Sequence, residues 1–175
     1  KTTTDIQVVN YPTKHFDNLE PLNLDLKTKF NFLSVAQWGP RKNLTNMINW
    51  FIQEFKDEDV GLVLKTNRAK NCLMDREICE GTLKSMISAH GDVKCKVYLL
   101  HGDMTDEEMH SLYQSEQIDA FVGIPHGEGF GLPFFEAAYS GLPVVSTGWS
   151  GQLDFLVDES GEDQFYNVSF DINLI

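Results

Sequence analysis

The sequence predicts an α/β fold in which helices cover both faces of a parallel sheet. From about residue 30 onward, short apolar runs alternate with stretches in which apolar residues recur three and four positions apart. Strands that alternate with helices of this length form parallel sheets buried on both faces. The chain has 175 residues, 42% of them hydrophobic and 23% charged, which suffices for one domain with a sizeable core.

Three strands and two helices are predicted in the first half of the domain. The run "FNFLSVA" (30–36) is predicted as a buried strand, and strands are also predicted at 60–66 and 94–100. The helix after the first strand has one apolar face, formed by Leu44, Met47, Ile48, Phe51, Ile52 and Phe55. The second helix is marked by Ile78, Leu83, Met86 and Ile87.

The second half continues the alternation. Thr105 and Glu108 form a capping box that opens a third helix. Strands are predicted at 118–123, 142–147 and 165–170, and a helix at about 133–140, framed by Pro133 and Gly141. The prediction is thus a Rossmann-like sheet of about six strands over residues 30–175. The unpatterned residues 1–29 are predicted as an entry segment or an interdomain linker.

Bulk properties exclude several classes of partner. A net charge of −12 argues against nucleic acid, which rewards clustered lysine and arginine. No apolar run reaches the roughly 18 residues that a membrane span requires.

The three cysteines are Cys72, Cys79 and Cys95. Their number is odd and they lack metal-ligand spacing, so they are predicted as buried free thiols. Free thiols suit a reducing compartment, and a cytoplasmic location is therefore expected.

A glycine-rich loop, Gly127-Glu-Gly-Phe-Gly131, connects the fourth predicted strand to a helix. Glycines allow a ligand to approach the backbone closely, and the N–H groups at a helix start attract anions. The loop is neither a Walker loop nor a dinucleotide-binding fingerprint, because the glycine spacing and position differ. Taken alone, it is equally consistent with a tight turn.

Two carboxylates accompany this loop, Glu128 within it and Glu136 eight positions later. The two oxygens of a carboxylate can accept hydrogen bonds from neighbouring hydroxyls, which suits a polyol such as ribose or a hexose. Each residue also has a simpler interpretation. Glu136 could be an acid favoured by the helix dipole, and Glu128 a solvated loop residue.

The stretch "EGFGLPFFE" (128–136) resembles the Glu-x7-Glu motif of retaining glycosyltransferases with the GT-B fold. That large family includes glycogen and sucrose synthases and many mannosyltransferases. Residues 137–147, "AAYSGLPVVST", continue the family pattern, and residues 32–51 and 97–122 resemble segments that precede it. The resemblance covers about residues 30 to 158 and implies the C-terminal, donor-binding half of a GT-B enzyme.

The resemblance assigns roles to individual residues. Lys42 would contact the donor diphosphate, Glu136 would hold the ribose hydroxyls, and Glu128 would lie near the transferred sugar. Lys42 and Glu128 are the residues implied to be catalytic. Backbone N–H groups for phosphate and sugar would come from the loop and the helix start, at Phe130, Gly131 and Leu132.

One cation of the family pattern is missing. The family often has an arginine five positions before the lysine, where this chain has Gln37. Arg41 is the candidate to supply that charge, because a basic residue at a helix start opposes the helix dipole unless a ligand compensates it. The alternative for Arg41 and Lys42 is a solvated helix start.

Weaker candidates lie at the carboxyl ends of other predicted strands, where parallel sheets bind ligands. Surface positions are the alternative for most of them, and Trp149 is predicted as a buried hydrophobe. These candidates are Gln37, Lys65, Thr66, His101, His126, Ser150, Gly151, Asp154 and Trp149.

The function implied is transfer of a hexose from a UDP-, GDP- or ADP-sugar, with retention, to an unidentified acceptor. No metal or other cofactor is implied, since basic residues take the cation's role. The isolated chain is expected to bind donor without transferring it, because the N-terminal acceptor domain has no counterpart in this sequence. A non-catalytic nucleotide or sugar-phosphate binding module remains an alternative, as does a GT-B epimerase or phosphorylase.

Overall fold

A computed structural model describes residues 11–171 together with Thr4, Gln7 and Val9. The other residues among the first ten, which belong to the predicted linker, lie outside the described residues. So do residues 172–175 at the end of the predicted domain. The described chain forms one sheet of six parallel strands in the order β3-β2-β1-β4-β5-β6. The strands are β1 (Phe30–Val35), β2 (Val60–Lys65), β3 (Lys96–Leu100), β4 (Ala120–Gly123), β5 (Val144–Thr147) and β6 (Tyr166–Val168).

Five α-helices and one short 3₁₀-helix connect these strands. The α-helices are α1 (Leu44–Glu54), α2 (Leu73–Ala89), α3 (Asp106–Tyr113), α4 (Leu132–Tyr139) and α5 (Leu153–Leu156), and the 3₁₀-helix spans Pro40–Lys42. The predicted capping box is confirmed, since the Thr105 hydroxyl accepts from the Glu108 N–H at 3.2 Å and the Glu108 carboxylate accepts from the Thr105 N–H at 2.7 Å. The short helix α5 was not predicted.

Strand order reverses in the middle of the sheet. β1 pairs with β2 on one side, with Phe30 opposite Val60, and with β4 on the other, with Phe32 opposite Ala120. The chain runs outward from β1 to β3 and then returns to β4. At such a switch point the loops that follow the two central strands diverge and leave a crevice. The loops after β1 and β4, which contain Lys42 and the glycine loop, border this crevice.

Two apolar cores cover the two faces of the sheet. In β1 neighbouring residues point to opposite faces, so that Phe32 packs with one core and Leu33 with the other. Helices α1 and α2 belong to the first core, which contains Ile48 and Leu83. Helices α3, α4 and α5 belong to the second core. Burial on both faces explains why the strands are continuous apolar runs.

Residues 11–29 contain no helix or strand but lie against the second core. Leu22, Leu24 and Leu26 pack on it. The backbone N–H of Leu24 donates to the Gln117 side chain at 3.0 Å. The segment that leads to β1 is therefore part of the packed domain in this structure.

Two details differ from the sequence predictions. Cys79 and Cys95 are buried, but Cys72 is exposed because it lies just before the first turn of α2, outside the core. Pro133 occupies the second rather than the first position of α4, while Gly141 follows the helix in the left-handed conformation with φ 84°, as expected for a helix end. Among the described residues, no helix is long and apolar enough to cross a membrane.

Candidate functional site

The glycine loop turns sharply into α4 at Gly131. This residue caps the helix with φ 89°, in the left-handed region that glycine adopts without strain. A Cβ atom at Gly131 would also lie 3.0 Å from the Cβ of Gln152. Glycine at this position therefore satisfies both a backbone and a packing requirement.

The loop after β5 holds the glycine loop in place. The Ser150 hydroxyl accepts from the backbone N–H of Glu128 at 2.9 Å and donates to the Glu128 carbonyl at 2.7 Å. The Gly151 N–H donates to the same carbonyl at 3.2 Å. A Cβ atom at Gly151 would overlap the carbonyl oxygen of Gly129. The close approach of the two loop backbones therefore requires glycine at position 151.

We expect Gly151→Ala to lower the free energy of unfolding by about 1–3 kcal/mol, because the two loops must separate. Gly129→Ala is the matched control, since no heavy atom lies within 4 Å of a Cβ at Gly129. Its effect should stay within about 0.5 kcal/mol. Urea denaturation of both variants measures the difference, and equal stabilities would contradict the close approach.

The start of α4 presents open hydrogen-bond donors. Within residues 11–171, no acceptor is found for the backbone N–H groups of Phe130, Gly131 and Leu132. Such groups together carry the positive end of the helix dipole. The helix start can therefore accept an anion.

A cluster of charges lies beside this helix start. The Lys42 ammonium is 2.5 Å from one oxygen of Glu128, and an Arg41 guanidinium nitrogen is 3.0 Å from the other. The Glu128 side chain is only 6% exposed and that of Lys42 17%, whereas that of Arg41 is 59% exposed. Arg41 also donates to the Gly127 carbonyl at 2.6 Å. In this conformation the Glu128 carboxylate faces the two cations.

Lys42 also lines a cleft of about 240 Å³. The cleft brings together three of the weaker candidates, Gln37, Lys65 and Thr66, with Pro133 of α4. The Lys65 ammonium donates to the Gly102 carbonyl, and burial lowers the pKa of Lys65. Gln37 donates to the Arg68 carbonyl at 2.7 Å. The carboxyl ends of β1 and β2 thus meet the start of α4 at this cleft.

Glu136 lies next to this cleft, in a second cavity of about 280 Å³ between α3 and α4. Burial raises the pKa of Glu136 above its usual value. Tyr113 lies behind it, and its buried hydroxyl interacts with the Glu136 carboxylate. Burial and the negative charge of Glu136 hold the pKa of Tyr113 well above its usual value. Met109 borders both cavities, which makes them neighbours.

Two candidates contribute no side chain to this arrangement, although the His126 N–H donates to the Arg41 carbonyl at 2.9 Å. His126 is exposed and lines a separate, wider cavity of about 720 Å³ together with Trp50 and Trp149. Trp149 is 45% exposed, so its prediction as a buried hydrophobe is wrong. The loop after β5 turns at Ser150 with φ 84° and leaves the indole on the surface, with its ring centroid 6.3 Å from that of Phe170.

His101 belongs to a different cluster, with Asp75 and Cys79, whose potential ligand atoms lie within 4.8 Å of one another. The Asp75 carboxylate accepts from His101 at 2.9 Å. It also accepts from three consecutive backbone N–H groups, those of residues 68–70. Because its oxygens already have these partners, the cluster is organised as a clamp for the loop after β2. The three amides and His101 hold the pKa of Asp75 far below its usual range.

We expect Asp75→Asn to reduce stability at neutral pH, since the amide nitrogen cannot accept from these donors. A carboxyl group whose pKa is lowered by folding stabilises the protein above its unfolded pKa of about 3.9, and this stabilisation is lost as pH falls further. The stability difference between wild type and variant should therefore shrink below about pH 4. Urea denaturation at several pH values measures it. A constant difference would contradict the clamp.

Comparison with known families fits this geometry. The family model described as "Glycosyl transferases group 1" matches residues 19–165. The chain belongs to this family. Sucrose synthase 6 of Oryza sativa subsp. japonica is 29% identical over 154 residues, which cover 82% of this chain but only 18% of the rice protein. The chain thus spans less than a fifth of the length of that relative.

Solved structures share the fold. The C-terminal domain of the group 1 protein LpcC from Francisella tularensis superposes with a TM-score of 0.60 at 22% identity, covering 81% of this chain and 68% of that domain. Anabaena HepE in complex with UDP and glucose superposes with a TM-score of 0.53 at 20% identity, covering 74% of this chain and 32% of HepE. The sheet is therefore the Rossmann-like sheet of GT-B C-terminal domains, as the sequence predicts.

Several residues near the site were not assigned a role from the sequence. Tyr113 lies in the helix that the predicted capping box opens, and Tyr11 lies in an unpatterned segment. Ser150 follows the fifth strand and was noted for its position, but a hydroxyl that clamps a loop leaves no spacing pattern. Contacts between distant segments carry these roles, which is why local patterns missed them.

Proposed function

We propose that this chain is the donor-binding half of a glycosyltransferase that takes a hexose from a nucleoside diphosphate sugar. The observation that carries the proposal is the placement of Lys42 and Glu136 around the start of α4, beside the backbone N–H groups of residues 130–132. Fixed positive groups bind a diphosphate, and a carboxylate accepts hydrogen bonds from the ribose hydroxyls. To bind one nucleotide, the two kinds of group must lie no farther apart than its phosphates and ribose.

In this proposal the cations assist departure of the nucleotide. Negative charge accumulates on the diphosphate as its bond to the sugar breaks. Lys42 and the N–H groups at the start of α4 stabilise that charge more in the transition state than in the ground state. These groups do the work of a divalent cation, so we propose a metal-independent transfer. Retention at the anomeric carbon belongs to the same proposal, because the Glu-x7-Glu motif is typical of retaining enzymes.

The transfer itself would require a second domain that binds the acceptor. The chain covers 18% of the rice sucrose synthase and 32% of HepE, so these relatives contain far more than this domain. We therefore expect the chain by itself to bind donor without transferring sugar. HepE is seen in complex with UDP and glucose, which supports a uridine nucleotide as the first to test.

Calorimetric titration with UDP, GDP and ADP tests the proposal. We expect one nucleotide to bind, and Glu136→Ala to weaken its binding about fivefold to tenfold, because the ribose loses a charged acceptor. Inorganic pyrophosphate is the control ligand, and its affinity should not depend on Glu136. If none of the three nucleotides binds, the proposal fails.

The pH dependence of nucleotide binding gives a second check. Burial raises the pKa of Glu136, and its protonated form offers the ribose a weaker acceptor. Nucleotide affinity should therefore begin to fall, on acidification, at a higher pH than an exposed glutamate would give. Glu136→Gln should remove this pH dependence. An unchanged profile in the variant would indicate that Glu136 does not contact the nucleotide.

A further inference from the structure

The segment Tyr11–Phe16, here called the strap, crosses over helices α3 and α4. At its first residue, the Tyr11 ring stacks on Phe130 of the glycine loop, with ring centroids 5.3 Å apart and an interplanar angle of 24°. At its end, Phe16 packs on His110 of α3 with ring centroids 4.8 Å apart. Lys14 forms an ion pair with Asp106 between these points. The strap is thus fixed to both helices and to the loop.

The strap encloses the space in front of Glu136. The cavity of about 280 Å³ has residues of α3 on one side and the face of α4 that contains Leu132, Phe135 and Glu136 on the other. The strap supplies the third side through Tyr11, Pro12, Thr13 and Lys14. Without it, Glu136 would lie on an open groove between two helices.

The groups that line this cavity suit a ligand in which a neutral polyol is attached to an aromatic ring. Glu136 can accept from a hydroxyl hydrogen, but the hydroxyl oxygen then still needs a donor. Lys14, which is also paired with Asp106, provides an ammonium on the opposite wall. Tyr11 and Phe135, whose rings meet at a 69° angle, add apolar surface. Small-molecule sites commonly combine apolar walls with a few such polar groups.

We propose that the strap is a wall of the nucleoside site, with the ribose held between Glu136 and Lys14. This inference rests on the proposed function and adds residues to the same site. The nucleoside would contact the strap directly, whereas the phosphates would not. The strap therefore determines the affinity for the nucleoside and not for the phosphates.

Alanine variants of the strap test the inference by calorimetry, with whichever nucleoside diphosphate binds the wild-type chain and with pyrophosphate. We expect Lys14→Ala and Tyr11→Ala each to weaken nucleotide binding about fivefold to tenfold. Pyrophosphate affinity should stay the same. Tyr166→Ala and Lys29→Ala are matched controls, because Tyr166 is 69% exposed on β6 and the Lys29 side chain is 87% exposed, and neither lines the cavity.

A chemical test locates the ribose directly. Periodate converts the ribose diol of the same nucleotide to a dialdehyde, which condenses with a nearby lysine amine to form a C=N bond and water. Added cyanoborohydride supplies hydride and reduces this imine to a stable amine, and peptide mapping by mass spectrometry identifies the lysine. We expect labelling of Lys14 that an excess of the unmodified nucleotide prevents.

The outcomes separate the two proposals. If the nucleotide binds and depends on Glu136, but the strap variants bind it as well as or better than wild type, the strap is no wall of the site and this inference is wrong. Protected labelling confined to other lysines would overturn it as well. If no nucleoside diphosphate binds, the proposed function and this inference fail together.

Discussion

Lys42→Ala is expected to weaken the binding of a nucleoside diphosphate by about 10-fold to 100-fold. The substitution removes a cation that borders the cleft at the start of α4. It also leaves the Glu128 carboxylate, only 6% exposed, with Arg41 as its remaining charged partner in the described chain. Both changes make the site more negative, and a diphosphate therefore binds less well. Calorimetric titration gives the ratio of dissociation constants.

Controls separate this loss from misfolding. Pyrophosphate should lose affinity by a similar factor, because Lys42 is assigned to the phosphates and not to the nucleoside. Lys29→Ala, which removes an exposed lysine just before the start of β1, should bind as wild type does. A change of less than about twofold on Lys42→Ala, with an unchanged melting temperature, would refute the assignment of Lys42.

Glu128→Gln should have the opposite effect and tighten diphosphate binding about tenfold. The carboxylate is 2.5 Å from the Lys42 ammonium and 3.0 Å from Arg41, so it neutralises part of the charge that a diphosphate would meet. A like charge held about 4 Å from the phosphates would cost on the order of 1–3 kcal/mol at a partly buried site, before screening by salt. The amide oxygen of glutamine can still accept from Lys42, while Arg41 keeps its hydrogen bond to the Gly127 carbonyl.

A double-mutant cycle makes this prediction specific. In a Lys42→Ala background, Glu128→Gln should still improve affinity, because the negative charge acts on the phosphates as well as on the lysine. Glu159→Gln is the matched control, since Glu159 is an exposed acid after the end of α5 and lines neither cavity of the site. Weaker binding by Glu128→Gln would instead mean that the ionised carboxylate positions Lys42 for the ligand.

The elements of the fold were predictable because each depends on neighbours in sequence. The apolar run at the start of the domain predicts β1, and the structure begins that strand at Phe30. The capping box at Thr105 and the glycine at 141 placed helix ends correctly, since helix termini are stabilised by residues within one turn. Helix α5, with four residues, has too few apolar positions for periodicity to show.

The candidate site was predictable only in part. The glycine loop and the spacing of Glu128 and Glu136 fix which groups lie at the start of α4. The partners of Glu128 come from distant parts of the chain. Lys42 precedes it by 86 positions, and Ser150 follows it by 22. The exposure of Trp149 was predicted wrongly for the same reason, because burial depends on what packs against a side chain.

Local sequence was enough to establish the α/β alternation, the parallel sheet and the family-like motif around α4, because hydrophobic periodicity and helix-end chemistry act over a few residues. Folding in three dimensions was needed to bury Glu128 between two cations, to make Asp75 a clamp for the loop after β2, and to enclose Glu136 with Tyr11 and Lys14. Side-chain contacts at short range require the backbone to be folded first. Charge and hydrogen-bond energies fall off within a few ångströms, so these pairings belong to the folded chain alone.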